Sequence, residues 1–104
     1  MSSAGRKESI NEAKQVARIL NCLASPARLM IICSLIDGEK NVTQFAEILG
    51  TTMGNISQHL RMLESNGIIE GRREGNKVYY RIISRDVVRL IKEIKKVCKN
   101  VQMG

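Results

Sequence analysis

Few residues in this chain have the chemistry to act as nucleophiles or metal ligands. Its 104 residues include three cysteines, Cys22, Cys33 and Cys98, and one histidine, His59. The cysteines are widely spaced and no Cys-x-x-Cys occurs, so zinc-finger and thioredoxin motifs are absent. A zinc, cobalt or arsenic-class site needs clustered Cys, His and carboxylate ligands. Three thiols remain, with two candidate chemistries. A thiolate that attacks an oxidant or a polysulfide becomes a sulfenate or persulfide, and a second thiol then closes a disulfide or a sulfur-bridged link. A reducing compartment permits such a bond transiently. Alternatively, Cys22, Cys33 and Cys98 together bind a soft metal or arsenite. A free cysteine is also a small hydrophobe. Cys33, inside the apolar run "RLMIICSLIDG" (28–38), and Cys22 are therefore equally readable as core. No nucleophile–base pair and no phosphate-binding loop is present, which points away from an enzyme and from any cofactor.

The second chemistry is charge. The net charge is +7 and the pI about 9.7. A basic chain this small suits a polyanion, either nucleic acid or an anionic membrane surface. Only Phe45, Tyr79 and Tyr80 are aromatic, too few for a platform that stacks single-stranded bases. No apolar run approaches the ~18 residues of a membrane span. The N-terminal "MSSAGRKES" has no apolar signal core. The expectation is a cytoplasmic protein with no membrane partner. At 43% apolar the chain suits one folded domain over 9–104, after a flexible polar tail at 1–8.

The elements that must position these groups follow from periodicity. From Ser9, apolar Ile10, Ala13, Val16, Leu20 and Leu23 recur at helical spacing. Ser25 caps a second helix with Pro26 at its first position, and Gly38 is its expected left-handed stop. Val42, Phe45, Ala46, Ile48 and Leu49 form a short amphipathic helix ended by Gly50. Thr51 or Thr52 caps the next, with Ile56, Leu60 and Leu63 inward and Asn66-Gly67 closing it. Two helices at about 42–49 and 52–65, joined by about three residues with a glycine, have the layout of a helix-turn-helix. After Gly67, "IIEGRR" and "KVYYRII" flank "EGN". They read as a hairpin with Gly75-Asn76 in its turn. Its strands place one of Tyr79 and Tyr80 toward the core and the other outward. From Ser84 to Gln102 a last helix carries an apolar stripe of Val87, Leu90 or Ile91, Ile94, Val97 or Cys98, and Val101 among lysines and arginines. The expected order is α-α-α-α-β-β-α, mainly helical with a small hairpin: a winged helix-turn-helix.

A recognition helix presents its N-terminal, outward residues to base edges in the major groove. Here these are Thr52, Met53, Asn55, Ser57, Gln58 and His59. Asn and Gln pair bidentately with adenine, and Ser and Thr bond bases or phosphates. Arg61 further along, and Gln44 on the preceding helix, are candidates for phosphate. Arg72, Arg73 and Lys77 on the hairpin are the candidate backbone contacts, which give affinity with little sequence information. Gly54 costs up to ~1 kcal/mol against alanine in a helix and leaves room for DNA to approach.

"LASPARLMIICSL", "GEKNVTQFAEILG" and "NISQHLRMLESNGIIEGRREGNKVYYRI" together resemble the ArsR/SmtB family of dimeric bacterial repressors, over about Ala13 to Val97. The resemblance implies a homodimer formed by the first and last helices, reading a near-palindromic operator on double-stranded DNA. The family's two familiar metal sites are missing: the helix after Gly38 has no cysteine, and 84–102 has no histidine. In detail the chain is similar to the thiol-sensing branch typified by BigR, HlyU and SqrR. Cys33 and Cys98 match that branch's two cysteines, Cys98 within about one residue. The resemblance therefore implies a repressor released from DNA when reactive sulfur species or oxidants, the small-molecule inducers, modify Cys33 and Cys98. Cys22 has no counterpart there and is read as core or a bystander.

Overall fold

The computed structural model describes residues 6–101, with side chains from 9 to 99. Helix α1 (Arg6–Leu23) is followed by α2 (Pro26–Ile36), a short strand β1 (Lys40–Asn41), α3 (Val42–Leu49) and α4 (Met53–Ser65). The hairpin β2 (Ile69–Glu74) and β3 (Lys77–Ile82) then leads to α5 (Arg85–Val101). Among the described residues, five helices and a three-stranded antiparallel sheet in the order β1-β3-β2 make the expected winged helix-turn-helix, with one strand added. Helix α1 starts at Arg6, ahead of the expected Ser9. The rest of the segment expected as a tail, 1–5, lies outside the described residues.

Local chemistry sets most of these boundaries. Ser25 Oγ accepts the Arg28 N–H at 3.3 Å and Pro26 opens α2, where no N–H is needed. The end of α2 differs from the left-handed stop expected at Gly38. Its last turn closes through the Gly38 N–H on the Leu35 carbonyl at 3.2 Å, while Gly38 itself turns to φ +149°. That angle redirects the chain into β1, where Lys40 and Asn41 pair with Tyr80 and Tyr79. Two residues are too few to show an alternation, so "GEKN" reads in sequence only as a loop.

Asn41 is both strand and cap. Its Oδ1 accepts the Gln44 N–H at 3.0 Å, and the Asn41 N–H donates to Gln44 Oε1 at 2.8 Å. This reciprocal capping box fixes the start of α3. Gly50 ends it in the left-handed region at φ +66°, and Thr52 caps α4 by accepting the Asn55 N–H at 3.1 Å.

Ile31, Ile32, Phe45, Ile56, Leu60 and Leu63 from α2, α3 and α4 are all within 1% of full burial, and Ile68 and Ile69 close the core beneath the sheet. The hairpin is in register from Ile69↔Ile82 to Glu74↔Lys77, leaving the two-residue Gly75-Asn76 turn expected from sequence. Gly71 has a packing reason: a Cβ there would lie 2.8 Å from Val78 Cγ1 and 3.1 Å from Tyr80 Cε1. Tyr80 packs on the core and Tyr79 lies under the Arg72 guanidinium, the alternation expected of a strand.

Helices α1 and α5 belong to this core only at one end each. Cys22 and Leu23 anchor α1, and Val87 and Ile91 anchor α5. The remaining apolar stripe stays outside: Ile10, Val16 and Leu20 on α1, and Leu90, Ile94 and Val97 on α5, are all exposed.

Candidate DNA-reading surface and the three thiols

Helix α3, the Gly50–Thr52 turn and α4 form the helix-turn-helix, and its outward side is polar. Thr52, Met53, Asn55, Gln58 and Arg61 are exposed, and Ser57 is half-buried. Asn55 is held by its Nδ2 donating to Thr51 Oγ1 at 3.1 Å, which fixes the amide at the start of the helix. Thr43 Oγ1 lies 3.8 Å from Met53 Sδ, tying the first residue of α4 to α3. A Cβ on Gly54 would meet nothing within 4 Å, so no contact within the chain requires glycine there.

Three residues grouped with this surface by sequence are engaged within the protein. His59 turns toward α2, where Arg28 Nη1 lies 3.3 Å from its Nδ1. Arginine has donors only, so in this contact Nδ1 is the acceptor. Arg28 also donates from Nε to the Cys22 carbonyl at 2.5 Å and from Nη2 to the Asn21 carbonyl at 3.4 Å. It thereby satisfies the open C-terminal carbonyls of α1 and joins that helix to α4. Sequence reading missed Arg28 because its partners lie on other elements. Gln44 is the second case: its carbonyl oxygen completes the capping box of α3.

Arg72 is the third. It donates to Glu39 at 2.6 Å and to Glu74 at 2.5 Å, and its guanidinium stacks 5.6 Å from the Tyr79 ring centroid. The bond from Arg72 holds the Glu39 carboxyl below the usual carboxylate range. Arg72 thus fastens the wing to the turn before β1. Arg81 is paired in turn with Glu70. Arg73 and Lys77, flanking the turn, are exposed and have no ion-pair partner among the described residues. They are the wing's available cations.

The thiols are graded in access. Cys22 is 2% exposed, and its Sγ–H donates to the Met62 carbonyl at 3.8 Å. Burial pushes its thiol up, against the nearby Arg28 charge. It lies in the core, one of the two places expected for it. Cys33 is half-buried on α2 against the core, and Cys98 is exposed on α5. All three are free, and no group of three or more metal-ligating side chains lies together among the described residues. No single described helix is long and apolar enough to cross a membrane.

Comparison with known proteins agrees with this geometry. Residues 25–70 match the family model "Bacterial regulatory protein, arsR family". The chain is similar to the Biofilm growth-associated repressor of Xylella fastidiosa (strain Temecula1), at 33% identity over 83% of this chain and 75% of that relative. Its fold is similar to NolR from Sinorhizobium fredii, with TM-score 0.83 and 29% identity over 93% of this chain and 96% of the other. It is also similar to the homodimeric winged helix-turn-helix DNA-binding domain Mb0332 from Mycobacterium bovis, with TM-score 0.81 and 35% identity over 95% and 91% of the two chains. With capped helix-turn-helix, basic wing and sequence identity in agreement, the chain belongs to the arsR family of bacterial regulatory proteins.

Proposed function

We propose that this chain is a homodimeric, non-enzymatic repressor that reads a near-palindromic operator and releases it when reactive sulfur species or oxidants modify Cys33 and Cys98. The observation that carries the reading is the placement of the two accessible thiols. Cys33 belongs to α2, inside the DNA-reading core, and Cys98 belongs to α5, whose apolar face the core leaves uncovered. Burial of Cys22 removes the third thiol from competition.

The dimer follows from the exposed stripes of α1 and α5, which a second copy would cover. The similar Mb0332 domain is itself homodimeric. Two copies of α4 would then enter major grooves about one turn apart, ~34–36 Å. Thr52, Met53, Asn55, Ser57 and Gln58 read bases, and Arg61, Arg73 and Lys77 hold phosphates. His59 and Arg72 act by positioning α4 and the wing.

The switch is a thiol exchange. The Cys98 thiolate attacks a sulfur of an inorganic polysulfide, forming a persulfide and expelling the shortened polysulfide anion. The Cys33 thiolate then attacks the Cys98 sulfur, closing a disulfide and expelling hydrosulfide. With a peroxide, two thiols give one disulfide and the peroxide is reduced to two hydroxyl products. A direct bond brings the two Cα atoms to roughly 4.4–6.8 Å, and a bridge of extra sulfur spans more. Either link ties α5 to α2 and moves the two α4 helices off their half-site spacing.

The test of DNA reading is a gel shift with a palindromic duplex selected from a random pool, against unrelated duplex. Preference of ~10³-fold or more is expected of a specific regulator, and equal affinity would exclude this reading. Separate treatment with polysulfide, peroxide, arsenite and zinc then sorts the inducers. Release by arsenite but not by polysulfide would favour a soft-metal thiolate site instead.

A further inference from the structure

Most of the chain's surplus positive charge lies away from its DNA-reading elements. From 42 to 82, which spans α3, α4 and the hairpin, five basic residues stand against four acidic ones. Helix α5 alone carries six lysines and arginines against two acids. Five of the six form a row: Arg85, Arg89, Lys92, Lys96 and Lys99 recur every three or four residues. At ~100° and 1.5 Å per residue they fall within about 80° of arc along ~21 Å of helix. The buried line of Val87 and Ile91 lies about 140° around the helix from the centre of this row. All five are exposed. Arg89 and Lys96 pair with Asp86 and Glu93 on the helix surface, and the other three have no ion-pair partner among the described residues.

Helix α5 also starts at the end of α4 and of the hairpin opposite their DNA-reading tips. The Ile68 carbonyl accepts the N–H groups of Ile83 at 2.9 Å and Ser84 at 3.3 Å, so α5 departs from the junction of α4 and β2. From that junction the recognition end of α4 is ~18 Å away along the helix. The wing turn is ~17 Å away along β3.

We propose that this row is a second, sequence-independent DNA-binding surface, which takes the phosphate backbone of a duplex segment other than the one held by α4 and the wing. A straight line of cations suits duplex DNA, which carries one charge per ~1.7 Å of axis. An interfacial helix would bury its apolar face in lipid, and here that face, with Leu90, Ile94 and Val97, is the one a second copy covers in the proposed dimer. The proposal rests on operator binding through α4 and the wing.

The test is a bridging assay with full-length protein. A selected palindromic duplex is fixed to beads, protein is added below saturation, and a labelled unrelated duplex of about 40 bp is the probe at ~100 mM salt. The row variant replaces Arg85, Arg89, Lys92, Lys96 and Lys99 by Gln, a good helix former, and circular dichroism checks its fold. The wing variant carries Arg73→Gln and Lys77→Gln. Wild type is expected to retain the probe. The row variant should lose at least ~10-fold of it while operator affinity stays within ~3-fold. The wing variant should lose operator affinity but keep probe capture per bound protein. Equal capture by wild type and row variant would overturn the proposal. So would absence of capture with a flatter salt dependence of operator binding in the row variant, which would place the row on the same duplex. Binding of wild type, but not of the row variant, to phosphatidylglycerol vesicles without duplex capture would also overturn it. Failure of wild type to hold the bead-bound duplex would instead be the failure of the operator reading.

Discussion

The module from α2 to β3 and the flanking pair α1 and α5 are built on different terms. The module supplies its own core: Phe45, Ile56, Leu60 and Leu63 are sealed by residues of the same chain. Among the described residues the amphipathic flanking helices bury only Cys22, Leu23, Val87 and Ile91, leaving Val16, Leu20, Ile94 and Val97 in solvent. The shape of the module is therefore fixed within one copy, while the flanks leave an apolar face that the proposed dimer would cover. Cys33 sits in the first region and Cys98 in the second. A bond between them would act on the relation between the two regions and leave each fold intact.

The strongest way to break this comparison is to damage each region in turn. Phe45→Ala should cost ~3–5 kcal/mol in denaturant unfolding, since its side chain is fully buried in the module. Val97→Asp should leave helical content unchanged but weaken self-association by about 100-fold in sedimentation, by placing a charge on an apolar face. A loss of helix content in Val97→Asp equal to that in Phe45→Ala would show that the two regions fold as one. A subtler cut is Arg28→Ala, which removes the tie from the α1 carbonyls to His59. It should cost about 2 kcal/mol, the scale of a charged hydrogen bond lost at a half-buried site, and lower operator affinity more than affinity for unrelated DNA. Gly54→Ala should stabilise the protein by up to ~1 kcal/mol, because the new methyl meets nothing. If DNA approaches there, the same variant binds operator ~10-fold more weakly. The smallest effect is acid release of the wing. Glu39 has a lowered folded value, so its tie to Arg72 is present at neutral pH. The tie is lost only as pH falls through that depressed value, beneath the ordinary carboxylate range. Wing amide exchange should rise there in wild type, and already at neutral pH in Glu39→Gln.

Sequence made the module legible where its signals are local. Ser25-Pro26, Gly50, Thr52 and Gly75-Asn76 each act within a turn of their own position, and the structure uses each as a cap, stop or turn. The elements missed are those defined by distant partners. Strand β1 exists only because Tyr79 and Tyr80 pair with it. Arg28 meets His59 across 31 positions, and Arg72 meets Glu39 across 33. Those two contacts engage His59 and Arg72 within the protein, which no helical or strand period encodes. Gly71 reads as a weak strand residue until Val78 and Tyr80 are seen beside it.

The central claim, that Cys33 and Cys98 together switch DNA binding, is tested most directly by titrating reduced protein with polysulfide. Operator affinity and intact mass are read on the same samples. Wild type should lose operator as an internal disulfide or sulfur-bridged mass appears, and Cys33→Ser and Cys98→Ser should each keep their DNA and form no internal link. Normal release of operator by Cys33→Ser would contradict the account.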